Sequence, residues 1–229
     1  MLQAVLVELE GVIADTRSVR RSALNEALVA ENISLSDAEY EETCDAMPVR
    51  SAVRAALAMR GIRDDETRVD LATLRAERRF ASDIESGVSL IPGAASLIES
   101  LQGHTRVGIV SRARRREIEP ILLLAGIDHS FEFIIADDDA FPPKPASACY
   151  VGALERLRRR RAVDPRHVVA LEDGAAGIRA AKGAGLRCGA VGHVPAHLAM
   201  DADALLPTLV GQTAASIDLL TSGARKIER

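Results

Sequence analysis

Glu8 and Glu10, two carboxylates one residue apart, are the first candidates for a reactive site along the chain. The apolar run Ala4-Val5-Leu6-Val7 has the length of a buried strand, and it leads directly into Glu8-Leu9-Glu10-Gly11. Side chains alternate along a strand, so the two carboxylates are expected to emerge on one side with Leu9 on the other. Two such acids at a strand end repel each other unless a cation or a proton holds them. The pair therefore suggests a divalent-metal or acid/base site, with a solvated strand end as the plainer alternative.

Other polar residues fall at comparable places. Ser111 follows the apolar stretch Arg106–Val110, Glu172-Asp173 follow His167–Leu171, and Lys144 lies in the stiff loop Pro142-Pro143-Lys144-Pro145. If these stretches are parallel strands, all of these side chains face one crevice beyond the carboxyl ends of the sheet. Such a group suits phosphoryl transfer. Carboxylates at Glu8, Glu10, Glu172 and Asp173 offer the hard oxygen donors that Mg²⁺ prefers. The Ser111 hydroxyl and nearby backbone N–H groups can grip phosphate oxygens, and Lys144 can neutralise a phosphate and restrain a nucleophile. One carboxylate would attack phosphorus while the other handles the leaving group's proton.

The elements that must position these residues are legible in outline. From Arg17 to Ser86 the chain reads as helix. Val19, Ala23, Leu24, Ala27 and Leu28 recur at helical spacing, and Ser36-Asp37-Ala38-Glu39 has capping-box form. Pro48 precedes a third helix that stops at Gly61, and a fourth is expected from about Asp64 to Ser82. From Val88 onward strands and helices alternate. Helices are expected over Pro92–Leu101, up to Ala125, Ala146–Arg160, Gly174–Ala184 and Ala214–Leu220. Strands are expected at Arg106–Val110, Phe131–Ala136, His167–Leu171 and, last, Cys188–Val191. This alternation predicts an α/β fold with a doubly wound parallel sheet. The core is expected over residues 1–16 and 87–229, with an all-helical insertion over 17–86.

Composition narrows the partners. With 48% hydrophobic and 27% charged residues, the 229-residue chain can bury a substantial core. No apolar run approaches the roughly 20 residues that span a bilayer, and no signal peptide is evident. Net charge is −4, aromatic content 3%, and Trp is absent, which argues against a nucleic-acid partner. The basic runs Arg114–Arg116 and Arg158–Arg161 are expected on solvated helix faces. Cys44, Cys149 and Cys188 show neither metal-ligand spacing nor a disulfide framework, so a reducing, cytoplasmic setting is expected.

The four polar stretches resemble, in order, the motifs of the haloacid dehalogenase superfamily, and within it the β-phosphoglucomutase-like branch of phosphatases and mutases. Glu8-Leu9-Glu10-Gly11-Val12-Ile13-Ala14-Asp15-Thr16 resembles the opening Asp-x-Asp-Gly-Val/Thr motif. Val110-Ser111, Lys144-Pro145 and Leu171-Glu172-Asp173-Gly174-x-x-Gly177-Ile178 resemble the second, third and fourth. The resemblance implies a Rossmann-like core, a helical cap after Thr16, Mg²⁺ as cofactor and a small phosphorylated metabolite as substrate. It casts Glu8 as nucleophile and Glu10 as general acid/base. Asp15 and Thr16 would line the entrance or cap the first cap helix. Arg20 stands where the branch often has a hinge histidine, and Arg50 could meet a substrate phosphate or simply be solvated.

Both family aspartates are glutamates here. Each arm is one methylene longer, and a displacement of about 1 Å can cost roughly a hundredfold in rate. Weak hydrolysis is therefore one expectation. A catalytically silent metal- or phosphometabolite-binding or regulatory protein on the same fold is the alternative, and a scaffold built on the arginine-rich helices is a third.

Overall fold

The computed structural model describes residues 1–45 and 47–222; residues 223–229, within the expected core span, lie outside the described residues. The chain divides into two compact units, one comprising Met1–Asp15 with Ser89 onward, the other Thr16–Val88.

The first unit is built on a six-stranded, wholly parallel sheet. Its strands are β1 (Ala4–Val7), β2 (Arg106–Val110), β3 (Phe133–Ile135), β4 (Val168–Glu172), β5 (Arg187–Val191) and β6 (Ala204–Leu206), in spatial order β3-β2-β1-β4-β5-β6. β1 and β4 are buried along their whole length. Their near-continuous apolar runs are what a parallel strand covered on both faces requires. The order reverses between β1 and β4, so the crevice outside their carboxyl ends is the expected ligand position.

The sheet departs from the sequence expectation at several points. β4 runs one residue further and takes in Glu172. β3 is confined to Phe133–Ile135, and Asp137–Asp139 form a short 3-10 turn. Cys188–Val191 is not the last strand, because Ala204–Leu206 adds an edge strand. That edge is secured by Asp203, whose carboxylate accepts from Lys182 (2.6 Å), Arg187 (2.9 Å) and the Cys188 N–H (2.8 Å).

The second unit is helical: α1 (Thr16–Val29), α2 (Asp37–Thr43), α3 (Val49–Met59) and α4 (Glu66–Ser86). Leu24, Leu28, Ile33, Tyr40, Val53, Leu57 and Val69 pack into its core. The Ser36–Glu39 capping box forms as its sequence predicts. Asp65 caps α4, which continues past Ser82 because Ile84 extends its buried stripe. Among the described residues no helix is long and apolar enough to cross a membrane.

In the first unit, α5 (Ala94–Leu101), α6 (Arg115–Leu124), α7 (Ala148–Arg158), α8 (Ala175–Gly183), α9 (Ala196–Ala199) and α10 (Ala214–Asp218) complete the fold. In the first basic run Arg115 is not simply solvated, and Arg156, just ahead of the second run, joins it. Arg115 and Arg156 both reach the Ile134 carbonyl and the Asp139 carboxylate, so the acidic turn after β3 and the arginines on α6 and α7 form one clamp.

Candidate active site

Four strands deliver four polar side chains to one point. Glu8 follows β1, Ser111 follows β2, Lys144 lies in the loop after β3, and Glu172 ends β4. All four are buried. The Lys144 ammonium is the hub. It donates to Glu8 Oε2 at 2.7 Å, to Glu172 Oε1 at 2.5 Å and to the Val110 carbonyl at 2.9 Å. These bonds use all three of its protons. Oε1 of Glu8 accepts from the Leu9 N–H at 2.9 Å and from the Ser111 hydroxyl. Ser111 Oγ in turn accepts from the Ala113 N–H at 3.0 Å. Ser111 is therefore not the cap of α6, whose first residue is Arg115; it turns inward to Glu8.

The charges explain the protonation states. Burial disfavours an ionised Glu8. The Lys144 charge, aided by hydrogen bonds from Lys144, Ser111 and the Leu9 amide, outweighs burial and holds its pKa below the usual glutamate value. Glu172 goes the other way. Burial raises its pKa and the neighbouring Glu8 charge adds to the rise, against the pull of Lys144. Lys144 is held firmly protonated, because the two carboxylates overcome its desolvation.

The sequence reading missed Tyr150. It lies on α7, is wholly buried, and donates its hydroxyl to Glu172 Oε1, while its ring lies 5.2 Å from the Lys144 ammonium. A buried tyrosine hydroxyl needs a partner. A lone tyrosine six residues after Lys144 was the available signal.

Two glycines make room for the acids. A Cβ on Gly177 would lie 1.9 Å from Glu172 Oε2, and one on Gly11 would lie 2.3 Å from Asp173 Oδ2. Gly11 also holds a φ of +71°, as the tight turn after β1 demands. That turn ends the strand alternation expected for Glu8 and Glu10. The strand stops at Val7, Glu8 is buried, and Glu10 is half-buried with its backbone bridged to Ala14. Asp173 is likewise half-buried.

The remaining candidates make the following contacts within their own units. The Asp15 N–H donates to the Ser89 carbonyl, and Thr16 is buried at the start of α1. Within the helical unit, the Arg20 guanidinium stacks 4.3 Å from the Phe80 ring centre. The Arg50 guanidinium is taken by two carboxylates of α4, Glu66 at 2.5 Å and Asp70.

The carboxylates offer the oxygen chemistry that Mg²⁺ prefers, but their arrangement does not fit the four-ligand set. Among the described residues, no group of three or more Asp, Glu, His or Cys side chains is placed to hold a metal ion. The reason is visible at the hub. Glu8 and Glu172 direct oxygens to Lys144, and Oε1 of Glu8 is filled by two further donors.

A parallel sheet with acids, a serine and a lysine gathered at its switch point defines a doubly wound α/β protein with a buried polar site at the carboxyl ends of its strands. The family model for haloacid dehalogenase-like hydrolases matches residues 2–185, and the chain belongs to that family. It is 32% identical over 198 residues to the protein CbbY of Cereibacter sphaeroides, covering 82% of this chain and 83% of that one. It is 27% identical over 207 residues to validoxylamine A 7'-phosphate phosphatase of Streptomyces hygroscopicus subsp. limoneus, covering 90% of each. Among solved structures, CbbY of Rhodobacter sphaeroides in complex with phosphate superposes with a TM-score of 0.79. The identity is 27%, over 95% of this chain and all of that one. A β-phosphoglucomutase of Clostridium difficile shares the fold at a TM-score of 0.78 and 19% identity, over 97% of this chain and 98% of that one.

Proposed function

We propose that the chain is a phosphatase-type hydrolase acting on a small phosphorylated sugar or related metabolite, with Glu8 as the attacking carboxylate. The observation that carries this reading is the Lys144 hub, which keeps a buried carboxylate ionised at the switch point of the sheet. An ionised carboxylate is the nucleophile an acyl-phosphate route requires. The substrate class is supported by two relatives: one is named validoxylamine A 7'-phosphate phosphatase, and a mutant of CbbY from Rhodobacter sphaeroides was solved in complex with xylulose-(1,5)bisphosphate.

In this mechanism the Glu8 carboxylate attacks phosphorus, the ester oxygen leaves, and Glu10 supplies its proton. The acyl-phosphate on Glu8 is then cleaved by a water that Glu10 deprotonates, which releases phosphate and restores both acids. Ser111 donates to a phosphoryl oxygen, and Lys144 offsets the charge that builds there. Mg²⁺ is the cofactor the family resemblance implies. No step above is routed through it, because the carboxylates as arranged do not form its site.

The filled oxygens of Glu8 favour a second reading, a binder of phosphometabolites that does not turn them over. Phosphate release from a panel of sugar phosphates, with and without Mg²⁺, separates the two. The hydrolase reading expects turnover by the native protein that Glu8→Gln abolishes. Saturable binding of a panel member with no release by the native protein would replace it with the second reading.

A further inference from the structure

We infer that the Glu8 carboxylate is a built-in occupant of the chain's own phosphoryl-binding subsite. This inference rests on the proposed function only in taking a phosphoryl group as the anion displaced. Three donors of different origin converge on this one carboxylate: the Leu9 backbone N–H at 2.9 Å and the Ser111 hydroxyl on Oε1, and the Lys144 ammonium at 2.7 Å on Oε2. A backbone amide, a hydroxyl and an ammonium aimed at one point form an oxyanion grip, able to bind the oxygens of a phosphoryl group. The grip is preorganised from outside the anion. Lys144 is pinned by Glu172 and the Val110 carbonyl, Glu172 is pinned by Tyr150, and Ser111 is fixed by the Ala113 N–H.

The arm length of Glu8 explains how it enters. Its own carboxylate folds back to accept the N–H of the next residue while still reaching β2's Ser111 and the lysine after β3. An aspartate on the same backbone would end one methylene, about 1.5 Å, earlier. Because this competing anion is tethered, it acts at a high effective concentration. The affinity of any entering phosphate is lowered by the fraction of time the grip is filled. Entry of a phosphoryl group then requires Glu8 to leave Ser111.

The test is titration of inorganic phosphate by calorimetry into the native protein, Glu8→Ala, Glu8→Asp and the double variant Glu8→Ala/Ser111→Ala. Folding of each is checked by circular dichroism. Glu8→Ala is expected to bind phosphate at least tenfold more tightly than the native protein, and the added Ser111→Ala to remove that gain. Glu8→Asp is expected to show a gain of the same sign, so the comparison survives if Glu8→Ala does not fold. Phosphate affinity that is no greater in the shortened variants than in the native protein would overturn the inference, as would a gain that persists without Ser111. These readouts involve no turnover, so failure here leaves the hydrolase reading standing, and failure of that reading leaves this one.

Discussion

Replacing Lys144 with methionine should produce a stability loss that grows with pH. The ammonium sits between two buried carboxylates, at 2.7 Å from Glu8 and 2.5 Å from Glu172, so their nearest oxygens are at most about 5 Å apart. Removing the cation from such a buried set costs about 3–5 kcal/mol when the acids stay charged. They need not stay charged. Burial and the Glu8 charge already push Glu172 above the ordinary glutamate value of 4.5, and Lys144 is the main force opposing that rise. Without it the folded protein holds a proton that the unfolded chain has released. A group whose folded pKa is raised stabilises the fold below the unfolded pKa and loses that contribution as pH rises. Above pH 4.5 the variant should therefore lose about 1.4 kcal/mol per pH unit for each extra proton held, until the folded carboxylate ionises. Urea unfolding of native and Lys144→Met protein, in chelator-containing buffer at pH 5.5 and pH 8, reads this directly. The deficit is expected to be larger at pH 8 by about 1.4 kcal/mol or more. A deficit that is the same at both pH values would refute the electrostatic account of the hub.

Three further changes probe the supports of the site and the edge of the sheet. Tyr150→Phe removes one hydroxyl donor from Glu172 and should cost about 1.5–3 kcal/mol in urea unfolding; a loss under about 0.5 kcal/mol would remove Tyr150 from the network. Gly177→Ala places a methyl where the Glu172 carboxylate lies and should cost about 1–3 kcal/mol. Adding Glu172→Asp should recover part of that loss, since shortening the acid relieves the overlap, and strictly additive effects would contradict the contact. Asp203 has a lowered pKa. Burial resists its ionisation, but hydrogen bonds from Lys182, the Cys188 amide and Arg187 prevail. Its contribution is present above pH 3.8 and is lost as pH falls through the folded value. Asp203→Asn should thus destabilise by about 1–3 kcal/mol at pH 7 and by less below pH 3.8, with faster hydrogen exchange at the Cys188 and Asp203 amides.

Much of this architecture could be read from the chain. The strands β1, β2 and β4 are apolar runs bounded by polar residues, and parallel burial leaves that signature. β6 escaped notice because it is three residues long and lies at the sheet edge beside β5, where Asp203 just ahead of it accepts from the Cys188 N–H. Glu8, Ser111, Lys144 and Glu172 were legible because each stands at a strand end or in the loop that follows one. What their spacing could not reveal is how they are paired. The contact between Glu8 and Ser111 joins residues 103 positions apart and depends on the reach of one side chain. Tyr150 acts from within a helix whose other buried residues are ordinary core, so its place six residues after Lys144 was its one mark in the sequence. Arg115 and Arg156 had to be seen in space before they could be matched with Asp139.

The measurement that bears most directly on Glu8 as an attacking carboxylate is phosphate release across a sugar-phosphate panel, with and without Mg²⁺. The native protein would be compared with the double variant Glu8→Asp/Glu10→Asp. Turnover by both is expected, faster in the variant, because the shorter arm leaves the grip of Ser111 and Lys144 open to substrate. Silence from the native protein beside an active variant would contradict Glu8 as a working nucleophile and identify the natural chain as a binder.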